Sequence, residues 1–423
     1  MTALALGRPA AAATPTVPVG PALPSLVPVL AVASGTAVAG NYLLQPLLAL
    51  VSADLGVPVG ALGAVAATAL LGYALGLLLV VPLGDVVDRR PLVVGMLAVT
   101  SAALAVAALA PSAAVLAAAL FVVGLTSVVA QVLVPYAASL ADDASRTRVV
   151  GTVMAGILTG ILGARVVAGL LGGELGWRAV PAVVGVLTAV LAAALWRRLP
   201  AEVHRHRRNG RPDVPYREVL AGVLRLARTA PVLRVRALYG ACGFGVFSAV
   251  WTTLAFQLRD AHGLGATTVA VVALLGVAGA WASPRAGRLA DRGHGTVVSG
   301  AAFAGLLLGA GVLALGDGRL LLLLVGLVVV DVSVQAGHMA NLGVVYAVAG
   351  EARSRATTVY MTCVFAGGAA GSLAAATAYG AAGWTAVAGV CAVLGGAALV
   401  VWAVRLPLGV PDRLDEPFPE SVA

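Results

Sequence analysis

Apolar runs of about 20 residues recur along almost the whole chain, and charged residues fall in short clusters between them. A helix of about 20 residues spans the roughly 30 Å hydrocarbon core of a bilayer, and in lipid only helices or closed barrels satisfy their own backbone groups. The runs are too long for barrel strands. With 60% hydrophobic and 11% charged residues, a water-soluble domain could not hide so many apolar faces. The chain therefore reads as an all-α membrane protein, and its 52 glycines agree, because Gly is commoner in membrane helices than in soluble ones.

Twelve spans are predicted, labelled α1 to α12: 26–50, 61–83, 92–110, 113–137, 149–172, 179–198, 235–257, 266–284, 296–315, 320–347, 356–380 and 384–405. Residues 1–25 and 406–423 read as cytoplasmic tails, the first disordered. The spans divide into six-helix bundles at 26–198 and 235–405, with a basic cytoplasmic linker at 199–234. Every basic side chain is Arg, and most lie between spans. The loops after even-numbered helices hold Arg89 and Arg90, Arg146 and Arg148, Arg285, Arg288 and Arg292, and Arg353 and Arg355; the opposite loops hold Arg178, Arg259 and Arg319. Basic loops face the cytoplasm, so both termini are expected there, in a multi-pass protein of the inner (plasma) membrane. The segment from Arg197 to Arg234 carries ten Arg against Glu202, Asp213 and Glu218. Its Val219, Leu220, Val223, Leu224 and Leu226 recur at helical spacing opposite Arg217, Arg225 and Arg228, which fits a helix on the anionic inner leaflet. A solvated linker whose charge sets topology fits as well. The net charge of +9 thus points to topology and not to nucleic acid. Cys242, Cys363 and Cys391 all lie inside apolar runs, where free Cys packs as a small hydrophobe.

The chain repeats itself. Adding 207 to first-half positions carries Arg146 and Arg148 to Arg353 and Arg355, Met154 to Met361, Gly160 to Gly367, and the Gly176-Trp177 turn to Gly383-Trp384. The charged turn Pro82 to Pro91 has a relative in Gly287 to Gly293, with Asp85 answering Asp291. Parallel six-helix repeats in transporters go with a substrate site near the midplane between halves.

These features, over about residues 26–405, resemble the major facilitator superfamily, and in particular its bacterial drug/proton antiporter-like permeases. The family's loop motif is G-x-L-A-D-R-x-G-R-[RK]. Its second copy keeps Gly287, Leu289, Ala290, Asp291 and Arg292; the first keeps Asp85, Arg89 and Arg90 but has Val81, Val86 and Asp88 at other motif positions. The resemblance implies a cytoplasmic gate in which Asp85 meets the start of α11 near Arg353 and Arg355, and symmetry would set Asp291 against α5. A carboxylate at a helix N-terminus is stabilised by up to ~2 kcal/mol, enough to bias a two-state equilibrium without locking it. It also implies a secondary active transporter, most simply proton-coupled efflux of a small amphipathic or drug-like compound by alternating access, acting as a monomer. Two departures matter. The antiporters' Arg on α4 is Leu120 here, four residues before Gly124, and Ile161 follows Gly160 where they carry Pro. A facilitator, or an importer or exporter of a metabolite, stays open.

By the resemblance α1, α4, α7 and α10 line the cavity. Asn41 and Gln45, four apart, are expected to share a face of α1, with Ser248 and Thr252 as their repeat counterparts beside Trp251. On α4, Gly124 and Gln131 map to Asp331 and His338 on α10, and Asp331, Gln335 and His338 fall at i, i+4 and i+7 on one face. A charge at mid-bilayer costs ~2.5–3.5 kcal/mol even on the lenient insertion scale, so Asp331 needs protonation, a cation or a water-filled cavity. Arg165 on α5, read as the one Arg deep in a helix, is the expected partner, with Asp331 taking up the coupling proton and His338 as second candidate. Small-residue pairs Gly72/Gly76, Gly156/Gly160 and Gly367/Gly371 are expected at the moving interface. No helical H-E-x-x-H, phosphate-cradling Gly loop or outer His/Asp cluster is present, so neither enzyme, metal nor cofactor is expected.

Overall fold

The computed structural model describes residues 23–142, 144–200 and 215–405. The expected tails fall outside these residues, apart from 23–25 at the start of α1, and so do residues 201–214 of the basic linker. Twelve spans are present. α1 is Leu23–Ala39, a 3-10 turn Gln45–Leu47 and Leu48–Leu55; α2 is Val59–Leu79 and α3 Arg89–Ala108. α4 is Ala113–Ser127 with Val129–Leu140, α5 Arg146–Leu175 and α6 Ala179–Arg198. A linker helix, Tyr216–Thr229, precedes α7, Pro231–His262. α8 is Ala266–Ala273, Leu274–Gly276 and Val277–Leu289; α9 is Gly295–Leu315 and α10 Leu320–Ala349. α11 and α12 share the segment Arg353–Arg405, broken at Ala382 and Gly383.

The repeat is visible in the turns. Gly176 and Gly383 both take positive φ, 81° and 71°, which a side chain would strain. Each sends the following Trp inward: Trp177 donates from Nε1 to Asp54 Oδ2 at 3.0 Å, and Trp384 to the Leu313 carbonyl at 2.8 Å. Arg178 reinforces the first of these by pairing with Asp54.

α1 departs from the predicted unbroken helix. Between Ala39 and Leu48 the backbone tightens to i→i+3 bonds, from Gly40 N to Ala37 O at 3.3 Å, Asn41 N to Val38 O at 3.1 Å and Gln45 N to Tyr42 O at 3.3 Å. Gly40 weakens the helix and Pro46 brings no N–H, so the α-pattern cannot be kept here. The break thus interrupts the helical face that Asn41 and Gln45 are expected to share.

We call the membrane side bearing the Arg-rich turns the basic face and the other the far face. The two halves meet closely at the far face. Gly63 of α2 packs where an added Cβ would lie 2.1 Å from Ala376 Cβ of α11, and the same atom on Gly169 of α5 would lie 2.6 Å from the Ala266 carbonyl of α8. Arg259 Nη1, at the end of α7, donates to the Ala49 carbonyl of α1 at 3.2 Å. Toward the basic face the α5–α8 seam loosens: α5 packs on Ala266–Gly276 of α8, whereas Val277–Leu289 packs on α10. The Ala290–His294 turn follows it and rests against α8, α9 and α10, with Asp291 exposed. Asp291 does not face α5, because this end of α8 packs within its own half.

The glycine pairs also sit elsewhere than expected. Gly72 and Gly76 of α2 abut Phe121 and Leu125 of α4, Gly156 and Gly160 of α5 abut Ala31 and Gly35 of α1, and Gly367 and Gly371 of α11 abut Ala241 and Gly245 of α7. All three pairs tighten contacts inside one half, not between halves.

Candidate functional site

Arg165 is the centre of the interface. It is 4% exposed, and α5 carries it from the first half to side chains of both halves. Its guanidinium carbon lies 4.3 Å from the ring centre of Trp251 and 5.1 Å from that of Phe247, both on α7, and 4.9 Å from that of Tyr42 on α1. Ring faces carry negative charge density, and a desolvated guanidinium on such a face gains ~2 kcal/mol. Nε donates to Gln45 Oε1 at 3.1 Å. Nη2 is buried without a partner.

Asp331, 6% exposed on α10, stands beyond ion-pair distance of Arg165, although the Arg165 charge acts on it. The expected direct pair is therefore replaced by a looser one, because the rings and Gln45 already hold the guanidinium. Counting at 1.5 Å per residue from the far ends of α5 and α10 puts both groups about 15 Å deep. Asp331 Oδ2 rests against Gly279 of α8, where any side chain would collide with it, and has no hydrogen-bond partner. Gln335 meets the same glycine, so two of the three α10 residues do share a site. His338 turns away: its Nδ1 and the Tyr360 hydroxyl of α11 share a hydrogen bond at 3.0 Å.

Asn41 is 6% exposed, and both its amide atoms lack partners. Gln131 Nε2 donates to the Tyr73 hydroxyl at 3.3 Å, and the Tyr73 ring lies 4.2 Å from that of Phe365 across the α2–α11 contact. Gln131 thus supports a ring contact between the halves. Among the described residues no three His, Cys, Asp or Glu gather as a metal site would require.

Sequence reasoning missed Arg236. It lies in α7 at 3% exposure and donates through Nη1 to Ser299 Oγ and Asn341 Oδ1, each at 3.3 Å. With Tyr360 and His338 it makes a polar cluster in the second half. The repeat offset gives Val29, Leu92, Val134, Val153 and Gln131 at the matching first-half positions. Comparing the halves at Arg236 would have found it, but the residue fell near the predicted start of α7, where an Arg reads as an end charge.

At the basic face Arg89 Nε donates to the Gly84 carbonyl at 3.2 Å, and Arg90 Nη2 to the Trp196 carbonyl at 2.6 Å with its guanidinium over the Trp196 ring. Both are engaged inside the first half. The Asp85 side chain lies outside the described ones. Its turn, Val81–Asp85, packs on the linker helix, which also packs on α11. Tyr216 of that helix donates to the Leu79 carbonyl at 2.6 Å, and Gly222 lies against Arg355. Val223 and Leu226 are each 1% exposed. Val223 and Leu226 are thus spent on the bundle, while Leu224 of the same helix is exposed. Arg353 caps the α10 end through Tyr346 O at 3.2 Å, while Gly287 and Arg292 make no contact across the halves.

Two six-helix repeats around a buried charged centre at mid-depth define a secondary transporter. The family model of the Major Facilitator Superfamily matches residues 30–349. The chain is 39% identical over 390 residues to the putative uncharacterized transporter YgaY of Escherichia coli K12, covering 90% of this chain and 95% of that one. It is 38% identical over 387 residues to the probable transporter SCO4007 of Streptomyces coelicolor, covering 91% and 88%. Among solved structures, an inward-facing, occupied bacterial homologue of the human lysosomal transporter Spinster superposes with a TM-score of 0.73 at 15% identity, covering 95% of this chain and 99% of that one. The nucleoside transporter NupG gives 0.70 at 14%, covering 92% and 99%. The chain belongs to the Major Facilitator Superfamily. It is a multi-pass membrane transporter of small molecules and not an enzyme.

Proposed function

We propose that this protein moves a small amphipathic compound by alternating access with proton coupling, Asp331 carrying the proton and Arg165 presenting a fixed charge to the cargo. The observation that supports this most is the reach of Arg165 across the interface: a first-half residue caged by second-half rings must lose or change those contacts when the halves rock. Asp331 is the group that can respond, being buried, unpartnered at Oδ2 and within the field of Arg165. With the basic face in the cytoplasm, the far-face contacts close the outside, and the Val81–Asp85 turn, the linker helix and Arg355 form the cytoplasmic gate. Asn41, Gln45, Gln131, Trp251 and Gln335 line the cargo path, and His338 modulates it through Tyr360.

Efflux is the direction implied by the family's drug antiporters, but Leu120 and Ile161 stand where those carry their own markers. Direction is therefore set by which vesicle orientation accumulates cargo. The test is a transport screen in inside-out vesicles with an imposed pH gradient. Asp331→Asn is expected to abolish gradient-driven transport while leaving cargo exchange at equal pH; gradient-driven transport at the wild-type rate in this variant refutes the assignment.

A further inference from the structure

Arg165 is built as a receptor with one edge free. Its ring faces are covered by Tyr42, Phe247 and Trp251, and Nε is taken by Gln45. Nη2 is left buried and unpartnered. Buried donors are almost always satisfied, so an unmatched cationic N–H in a mid-membrane site marks where a ligand supplies the acceptor. A cation brought here would meet a fixed like charge already seated on the aromatic faces that would otherwise attract it.

Resting on the alternating-access reading above, we propose that the cargo is an organic anion with an apolar or aromatic body, bound through Arg165 Nη2, and that it binds together with a proton on Asp331. Ionised, Asp331 competes with the anion for the Arg165 field; protonated, it leaves the centre with one net positive charge and becomes a donor itself. Anion and proton each favour the other, and that coupling is reciprocal. A cationic cargo would compete with the proton instead. The groups facing Asp331 are few. From α5 comes Arg165, from α8 the Gly279 backbone, and from its own helix Gln335; among the described residues α7, α9 and α11 bring no charged side chain whose field acts on it. His338 lies two turns on and is engaged with Tyr360.

The test uses purified full-length protein and three probes of one shape, with charges that do not titrate near neutrality: benzenesulfonate, neutral benzenesulfonamide and cationic benzyltrimethylammonium. Calorimetry is expected to show the sulfonate binding about tenfold or more tighter than the sulfonamide, with no binding of the ammonium. Sulfonate affinity should rise as pH falls, and Asp331→Asn should remove that dependence. Arg165→Gln should weaken the sulfonate by about tenfold or more, and Arg165→Lys by less. Equal or tighter binding of the ammonium, no millimolar binding of the sulfonate, or affinity indifferent to pH in the wild type overturns the proposal, and these readings need no variant to fold. If the sulfonate binds as expected but a pH gradient does not drive its entry into proteoliposomes, the anion site stands and the proton-driven reading of function falls.

Discussion

At the scale of single residues, Gln45 is the support on which the charged centre depends. Replacing it with Leu leaves Arg165 Nε buried without an acceptor, at a cost of ~1–3 kcal/mol. Gln45→Leu is expected to lower the unfolding temperature in detergent, and Gln45→Glu, which keeps an acceptor, to lower it less; the order of the two in a thermal melt checks it. At the basic face, Asp142 caps the start of α5, accepting the Ser145 amide at 2.7 Å and the Ser145 hydroxyl. These bonds, aided by the Arg146 charge, hold its carboxyl below the usual carboxylate range. The depressed value means the cap is fully present above the unfolded carboxylate value of about 3.9 and is lost as pH falls through the lower folded one. Hydrogen exchange at Ser145 should therefore accelerate, relative to its intrinsic rate, only at strongly acid pH, while Asp142→Ala lowers the protection at every pH and leaves only the bond to the residue-142 carbonyl. Arg165 and Asp331 could be picked out in the sequence because charge in an apolar run needs an explanation. Their actual relation could not, since it depends on three rings from two other helices.

At the scale of elements, the sequence resolved the spans because a hydrophobic run of membrane length leaves little choice, and the long α7 and α10 appear as continuous helices. It did not resolve the break in α1, because Gly40 and Pro46 sit inside an apolar run of membrane length. Within that break Gln45 bonds Arg165 and the Asn41 amide has no partner. Small-residue spacing was legible but its partner was not: any close helix pair selects glycine, whether it slides or stays. Gly160→Leu is the discriminating change, because its side chain would start 2.3 Å from the Gly35 carbonyl. It is expected to lower the yield of folded protein severalfold on size exclusion, since backbone cannot yield as a flexible side chain would. Normal yield with impaired transport would return this pair to a sliding role.

At the scale of the whole molecule, the repeat gives the two halves one scaffold, and the differences between them carry the chemistry: Arg165 against Ser372, Asp331 against Gly124, Arg236 against Val29. What alternates is the contact between halves, and the far face is where that contact is tightest. Gly63 faces Ala376 there, so Gly63→Leu overpacks the seam without touching either core. Overpacking costs ~1–3 kcal/mol, and a bias of that size moves a two-state equilibrium by roughly 5- to 150-fold. The effect should fall on the far-closed state alone, because the clash vanishes once α2 and α11 part. A reporter on the other seam reads it: Ala270→Cys on α8 is buried against Gly169 of α5 and is reachable only when the halves separate. In the Gly63→Leu background its reaction with an impermeant maleimide from the far face is expected to accelerate by at least about fivefold, with thermal stability nearly unchanged. Unchanged labelling, with the protein folded, would mean that the two seams move independently, and the halves would then not behave as rigid bodies.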